Sequence, residues 1–373
     1  MDPPFVWLGV FFLLATIAWA VAQRARPSPK TARLGSAKSH APPKSSGERG
    51  SGIAFSDLTD VPSLVSDEDD LEITIVTASP PTDAPPSPGE EADASMQERD
   101  EESKAETSTV NVIYEEEADT EEITSPRARI LVSAQGESDR GHRRQRNEDS
   151  LLVFPERSLF AVADGMGGYE GGQVASTLAV EVLRKAYERS IFQGKTVSET
   201  PVPRRGRELA CAIQMANQAI LRSAKKDPTL AHMGTTVLAA RFSPNKQRVY
   251  IGHVGDSRCY RFRGRTLRQL TTDHTMRELG MRGPISAHLF QAVGISPTIQ
   301  IDVVIDKPRP DDVYLLCSDG LSKMASDAQI RDILLGEVDL EAAVYTLIEL
   351  ANDQGGKDNV TVILVKILER ASA

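Results

Sequence analysis

Four short acidic motifs stand between residues 147 and 359: Asn147-Glu148-Asp149, Asp164-Gly165-Met166-Gly167-Gly168, Ser318-Asp319-Gly320 and Asp358-Asn359. The last three adjoin apolar runs that read as strands, Leu159 to Ala163, Val313 to Cys317 and Val360 to Val365. Carboxylates at the ends of hydrophobic strands would converge at one rim of a sheet sandwich. Crowded carboxylates repel one another unless a divalent cation neutralises them. An all-oxygen cluster suits Mg²⁺ or Mn²⁺ rather than zinc or copper. The residue types therefore point to a hydrolytic metal site.

The elements that must hold these groups lie between residues 129 and 370. Ile130 to Val132, Leu151 to Phe154 and Leu159 to Ala163 read as strands. Glu170 to Arg189 places Val174, Leu178, Val182 and Leu183 on one helical face, and Arg207 to Lys226 does the same with Leu209, Ile213, Ala216, Ile220 and Leu221. A strand-rich meander follows: Thr235 to Arg241, Arg248 to His253, Ser257 to Arg263 and Leu267 to Leu270. Strands resume at Ile301 to Ile305 and Val313 to Cys317, helices at Asp327 to Leu335 and Leu340 to Asp353, and a last strand at Val360 to Leu368. Paired helices between groups of strands predict an α+β fold, two antiparallel β-sheets in a central sandwich flanked by α-helices. The alternation of a barrel is missing, and so is any internal repeat.

Ahead of this domain the composition changes twice. Residues 5–22 form an uninterrupted apolar stretch, long enough for a membrane-spanning helix of roughly 17–25 residues. Arg24, Arg26, Lys30 and Arg33 follow it and only Asp2 precedes it, which predicts a single-pass anchor in the cell membrane with the remainder cytoplasmic. The competing reading is a cleaved signal peptide ending at Ala18-Trp19-Ala20, against which stands the lack of a positive leading region. Residues 23–128 read as a disordered linker, basic then acidic. Residues 24–49 carry seven Lys or Arg against one Glu, and residues 57–123 carry 22 Asp or Glu against Arg99 and Lys104. Proline pairs and like-charge runs leave too little apolar surface to offset ordering. The one apolar patch in its first part, Leu71 to Val76, reads as a chance cluster with a docking strand as the alternative.

The whole chain has 373 residues and a formal charge of −10, which disfavours a nucleic-acid binder because no basic face is apparent. Cys211, Cys259 and Cys317 are odd in number and well separated, as expected of reduced thiols in a cytosolic domain. No CxxC pair supports a cysteine-based zinc site.

Residues 133–369 resemble the PPM (type 2C) family of metal-dependent protein serine/threonine phosphatases in its bacterial form. The resemblance rests on Ser138 to Asp149, Phe160 to Gly168, Gly234-Thr235-Thr236, His253 to Arg258, Leu270 to His274, Leu315 to Leu321 and Lys357 to Thr361, in that order. It implies hydrolysis of phosphoserine and phosphothreonine in proteins by a water shared between two cations, Mg²⁺ or Mn²⁺, about 3.5–4 Å apart. Asp164 can bridge the two ions because each carboxylate oxygen can reach one. By resemblance Asp319 and Asp358 complete one ion, while Glu148 and the carbonyl of Gly165 serve the other. Glycine at 165 would allow close backbone approach and an unusual φ. Asp149 would orient the attacking water. Arg144 aligns with the phosphate-binding arginine, a planar fork for two phosphoryl oxygens, with Arg143 and Arg146 as alternatives of register.

Departures from the family pattern carry expectations of their own. Met166 stands where animal members place a histidine that protonates the leaving alkoxide, and His253 and His274, the nearest histidines in sequence, fit a core or loop-packing role. A third ion in bacterial members uses the aspartate at Asp256 with Asp319. Lys323 occupies the position where an acidic residue often follows, so the third site is expected to be weakened or absent, a fixed ammonium replacing the ion. The segment from Asp273-His274 to Val293-Gly294 is shorter than usual, and Met276 to Met281 reads as a short helix or a connecting loop. The leading reading is a membrane-tethered phosphatase opposing a serine/threonine kinase. The alternatives are a catalytically degenerate module that binds phosphoproteins or a signalling partner, and a scaffold acting through its acidic arm.

Overall fold

The computed structural model describes residues 73–76, 108–115, 118, 124–168, 170–192, 202–337 and 339–369. In chain order its strands are β1 (Ile73–Val76), β2 (Ser108–Tyr114), β3 (Ile130–Asp139), β4 (Asp149–Phe154) and β5 (Leu159–Met166). Helices α1 (Gly171–Glu188) and α2 (Arg204–Lys226) come next. Strands β6 (Gly234–Thr235), β7 (Val237–Ser243), β8 (Arg248–Val254), β9 (Arg258–Arg263), β10 (Thr266–Gln269), β11 (Gln300–Asp306) and β12 (Val313–Cys317) follow. Helices α3 (Asp319–Ser322), α4 (Asp327–Gly336) and α5 (Leu340–Asp353) precede β13 (Val360–Glu369).

Side chains alternate across a strand, so a strand that is apolar at every position must be covered on both faces. β7 and β13 come near that pattern, with apolar residues on both faces interrupted inside only by Arg241 in β7 and by Thr361 and Lys366 in β13. Val237 and Ala239 of β7 join the core beneath α1 and α2, while Leu238, Ala240 and Phe242 join the core between the sheets. Ile363, Val365 and Ile367 of β13 meet that same central core, and Val360, Val362 and Leu364 turn to α4 and α5. Helix α1 supplies Leu178, Ala179, Val182 and Leu183, and α2 supplies Leu209, Ile213, Ala216 and Ile220, at the three-and-four spacing of one helical face. Three stacked apolar layers thus produce the expected α-β-β-α sandwich. One sheet runs β1-β2-β11-β8-β7-β5-β4 with β6 beside β5, and the other runs β10-β9-β12-β13-β3.

The expectations that residues 23–128 are linker and that both sheets are antiparallel need correction. β2 pairs in parallel with β11, Ile301 facing Val110 and Val303 facing Val112, and β1 pairs in parallel with β2. Ser108, Val110 and Val112 are buried, and Ile113 packs against the central core from the opposite face. The composition around β2 hid it, because Glu runs flank a seven-residue stretch whose own alternation is that of a strand. Without β2 the edge of β11 would present unpaired backbone groups beside a hydrophobic core. The patch read as a chance cluster contains β1, so the docking-strand alternative describes it. The folded unit therefore starts before residue 129. The proposed anchor at residues 5–22 lies outside the described residues, among which no helix is long and apolar enough to cross a membrane.

Candidate metal centre

The acidic motifs meet at one end of the sandwich. Asp149 at the start of β4 lies directly across from Asp164 on β5. Asp319 opens α3 after β12, Asp358 stands two residues before β13, and Asp256 follows β8. Asp164 is therefore inside its strand rather than at the end of one, because β5 continues through Met166. Burial followed by the charges of Asp149, Asp319, Asp256 and Asp358 raises its carboxyl well above the ordinary range. The same causes, burial first and then Asp319 and Asp358, push Asp149 up to about 7. Burial and Asp319 raise Asp256 as well. Asp149, Asp164 and Asp256 thus stand among acidic neighbours.

Hydrogen bonds hold some of these oxygens and leave others open. The Thr361 hydroxyl donates to Asp149 Oδ2 at 2.6 Å, whereas Asp149 Oδ1 is buried without a donor. Asp319 Oδ1 is likewise buried and unpaired. Buried anionic oxygens without donors are costly, and a hard cation would satisfy them. The residues present fit that group: oxygen donors only, crowded, and short of internal positive charge.

The loop that carries Glu148 is pinned by Asn359. Its Nδ2 donates to the carbonyls of Arg140 and Arg146 at 2.9 Å each, and its Oδ1 accepts the Glu148 N–H at 2.9 Å. Thr236 braces Asp164, accepting its N–H at 3.0 Å and donating its own N–H to the Asp164 carbonyl at 2.8 Å. Gly165 has no positive φ, contrary to expectation. It is glycine because a Cβ there would collide with the carbonyl oxygens of Gly172 and Glu148. Close approach of the α1 start to the site, not backbone freedom, excludes a side chain.

Three arginines competed for the phosphate-binding role. Arg146 turns to Glu170 at 2.8 Å, and Arg143 is exposed. Arg144 reaches the cluster, its guanidinium 2.8 Å from Asp358 Oδ2 and half exposed to solvent. That hydrogen bond, outweighing partial burial, raises the Arg144 pKa further, with Glu148 and Asp164 adding to it. On the other side Lys323 Nζ contacts Asp319 Oδ2 and lies 3.3 Å from Asp256 Oδ2. The two carboxylates hold its ammonium well above the ordinary value against the cost of desolvation, although half of the side chain is exposed.

His253, His274 and Asp302 form a second cluster with nitrogen and oxygen atoms within 4.8 Å of one another. Their hydrogen bonds decide what it is. Gly255 N–H donates to His274 Nδ1 at 3.2 Å, so the proton of the neutral ring sits on Nε2, facing Asp302 Oδ2 at 3.2 Å. That bond occupies His274 Nε2, while both ring nitrogens of His253 are buried without a partner. Burial opposes ionisation of Asp302, but the His274 hydrogen bond holds its carboxyl below the ordinary value. Asn111 of β2 donates to Asp302 Oδ1 at 3.3 Å. This brace of Asn111, Asp302 and His274 links the added strand to the loop that carries Asp256. Met276 to Met281 forms turns rather than a helix.

Motifs pointed to Glu148, Asp149, Asp164, Asp256, Asp319 and Asp358, and the fold brings them together. Thr361, Asn359 and Thr236 stood inside quoted motifs without a role. Their signal was a short polar residue beside a strand end. Asn111 and Asp302 carried no local signal. All three cysteines are free, Cys259 and Cys317 buried and Cys211 half buried.

Residues 137–365 match the family model described as protein phosphatase 2C. The serine/threonine phosphatase stp of Listeria welshimeri is 35% identical over 249 residues, covering 63% of this chain and 96% of that protein. The serine/threonine protein phosphatase PstP of Mycobacterium tuberculosis is 34% identical over 253 residues, 65% of this chain and 46% of its own length. Among solved structures, the PstP catalytic domain in complex with 2 manganese ions superposes with a TM-score of 0.55 at 33% identity, over 64% of this chain and 100% of that one. PppA of Pseudomonas aeruginosa, described as a key regulatory component of T6SS, has a TM-score of 0.55 at 30% identity, over 64% and 98%.

Proposed function

The chain belongs to the protein phosphatase 2C family, and from that premise we propose that it hydrolyses phosphoserine and phosphothreonine in proteins with divalent cations. The observation that carries this reading is the convergence of five aspartates at one end of the sandwich, Asp149 directly across from Asp164, with Asp149 Oδ1 and Asp319 Oδ1 buried and lacking donors. Asp164, Asp319, Asp358, Glu148 and the Gly165 carbonyl are the groups that would hold the ions, Mg²⁺ or Mn²⁺, with Asp164 shared between two of them. Such cations would neutralise the carboxylates and supply an activated water at neutral pH for attack on phosphorus. Asp149, fixed through Oδ2 by Thr361, keeps Oδ1 to orient that water and take its proton. Arg144, at the exposed edge, grips the phosphoryl oxygens through its planar fork.

Lys323 fills the space between Asp256 and Asp319 with a tethered ammonium, which supports two ions rather than three. Residues 5–22 hold the chain in the cell membrane with the catalytic domain on the cytoplasmic side, where a serine/threonine kinase opposes it. The basic residues after the apolar stretch support that orientation. The complete carboxylate set weighs against a degenerate binding module. The test is phosphate release from a phosphothreonine peptide by the full chain with Mn²⁺, with Mg²⁺ and with chelator. Turnover with either ion and none with chelator is expected. Ion binding without turnover would favour the binding module.

A further inference from the structure

A second polar cavity, of about 350 Å³, lies at the opposite end of the larger sheet. Arg157 after β4, Arg204 and Arg205 at the start of α2, Arg241 near the end of β7 and Lys246 in the following turn line it. Glu208 is the only carboxylate in that lining among the described residues, and Arg204 Nε already engages it at 2.9 Å. Arg241 has no acidic partner there. One of its nitrogens donates to the Phe242 carbonyl, and its guanidinium carbon lies 5.5 Å from the centre of the Tyr187 ring. Its Nε is buried without an acceptor, and so is the Tyr187 hydroxyl on the same wall, whose residue is only 6% exposed. Burial first, and then the charges of Arg205 and Arg157, push Arg241 down to about 10.

Like-charged guanidiniums gathered around a cavity repel one another and lose hydration, a cost that a bound anion offsets. Arginine forks and a tyrosine hydroxyl are the donors that recognise tetrahedral oxyanions. We propose that this cavity is a binding site for a phosphate monoester or free phosphate dianion, separate from the metal centre. It reads the same chemical group that the catalytic end removes. A phosphorylated residue on a bound protein and the released phosphate are the two sources of that group.

Calorimetry of the full chain in chelator separates the two ends of the molecule. Without cations the carboxylate cluster repels anions, so phosphate heat reports the basic cavity. Saturable, salt-sensitive binding of inorganic phosphate or of a phosphothreonine peptide is expected. It should be at least tenfold weaker in Arg241→Met and in Arg205→Gln, and unchanged in Asp164→Asn. Arg205→Gln alters a half-exposed side chain at the cavity, so it tests the site even where Arg241→Met disturbs folding. Tighter binding of the peptide assigns the site to phosphorylated proteins, and equal binding to free phosphate. No saturable binding, or binding that both variants leave intact or that Arg144→Met abolishes, would overturn the proposal.

Discussion

The two ends of the sandwich use the same residue type in opposite ways. Away from the metal centre, Asp306 is fully buried but receives the Arg261 guanidinium at 2.6 Å and the Tyr314 hydroxyl at 2.6 Å. Asp312 there takes both prongs of Arg263, at 2.8 and 2.7 Å. Each of these carboxylates has an internal counter-charge, and the pair from β9 and β11 ties one sheet to the other. At the catalytic end Asp149, Asp164, Asp256, Asp319 and Asp358 are answered only by Lys323 and the half-exposed Arg144 among the contacts described. A buried carboxylate that is neutralised within the fold serves stability, whereas one left in excess marks a place for an external cation.

The contrast breaks first, and most severely, at its catalytic end. Asp164→Asn should lower kcat/KM on a phosphothreonine peptide on the order of 1000-fold, through loss of transition-state charge stabilisation, while the urea midpoint of the cation-free chain holds or rises. At the other end Arg261→Met leaves Asp306 buried and uncompensated, which costs about 3–5 kcal/mol. Denaturant unfolding measures it, and kcat/KM per folded molecule should stay within about twofold because no step uses that pair. Cations should discriminate the two variants. Mn²⁺ at 100 times its Kd stabilises the wild-type fold by about 2.7 kcal/mol per site, an increment retained in Arg261→Met and largely lost in Asp164→Asn in thermal melts. Lys323→Asp should turn the ammonium position into a ligand and raise the Mn²⁺ stoichiometry by one in calorimetry. A count unchanged from wild type would detach Lys323 from the ion number.

The smallest effect lies at the buried His253, near the end of β8. Burial first and His274 second push it down to about 3 from an ordinary value of 6.5. An unfolded chain takes up this proton as pH falls through about 6.5, whereas the folded chain resists until about 3. Stability is therefore complete above that window and is lost as the pH falls through it. Unfolding free energies measured from pH 7 to 4 should fall less steeply in His253→Gln than in wild type.

Much of this was legible before folding. The α-β-β-α layers were expected from paired helices between groups of strands, and β7 and β13 supply the double-faced strands that carry them. The helices α1, α2, α4 and α5 followed from three-and-four spacing, with ends within three residues of those observed. β2 was not legible, because its charged flanks dominate any compositional window while its partner β11 lies far along the chain. The reason for glycine at 165 was also out of reach, since the colliding atoms belong to Gly172 and Glu148 across a turn of backbone. Arg144 could not be told from Arg143 and Arg146 by register alone. Position in space separates them, for only Arg144 reaches Asp358.

By itself the sequence determined which chemistry was at hand, because an aspartate beside a strand end has one set of oxygens wherever the strand lies. It also determined the layers, since hydrophobic period is a local property of the chain. The tertiary structure alone decided which charges stay unbalanced. Whether a carboxylate meets Arg261 or another carboxylate depends on residues tens to hundreds of positions away, and the separation of carboxylates left in excess from carboxylates neutralised within the fold arises only when the two sheets close on each other.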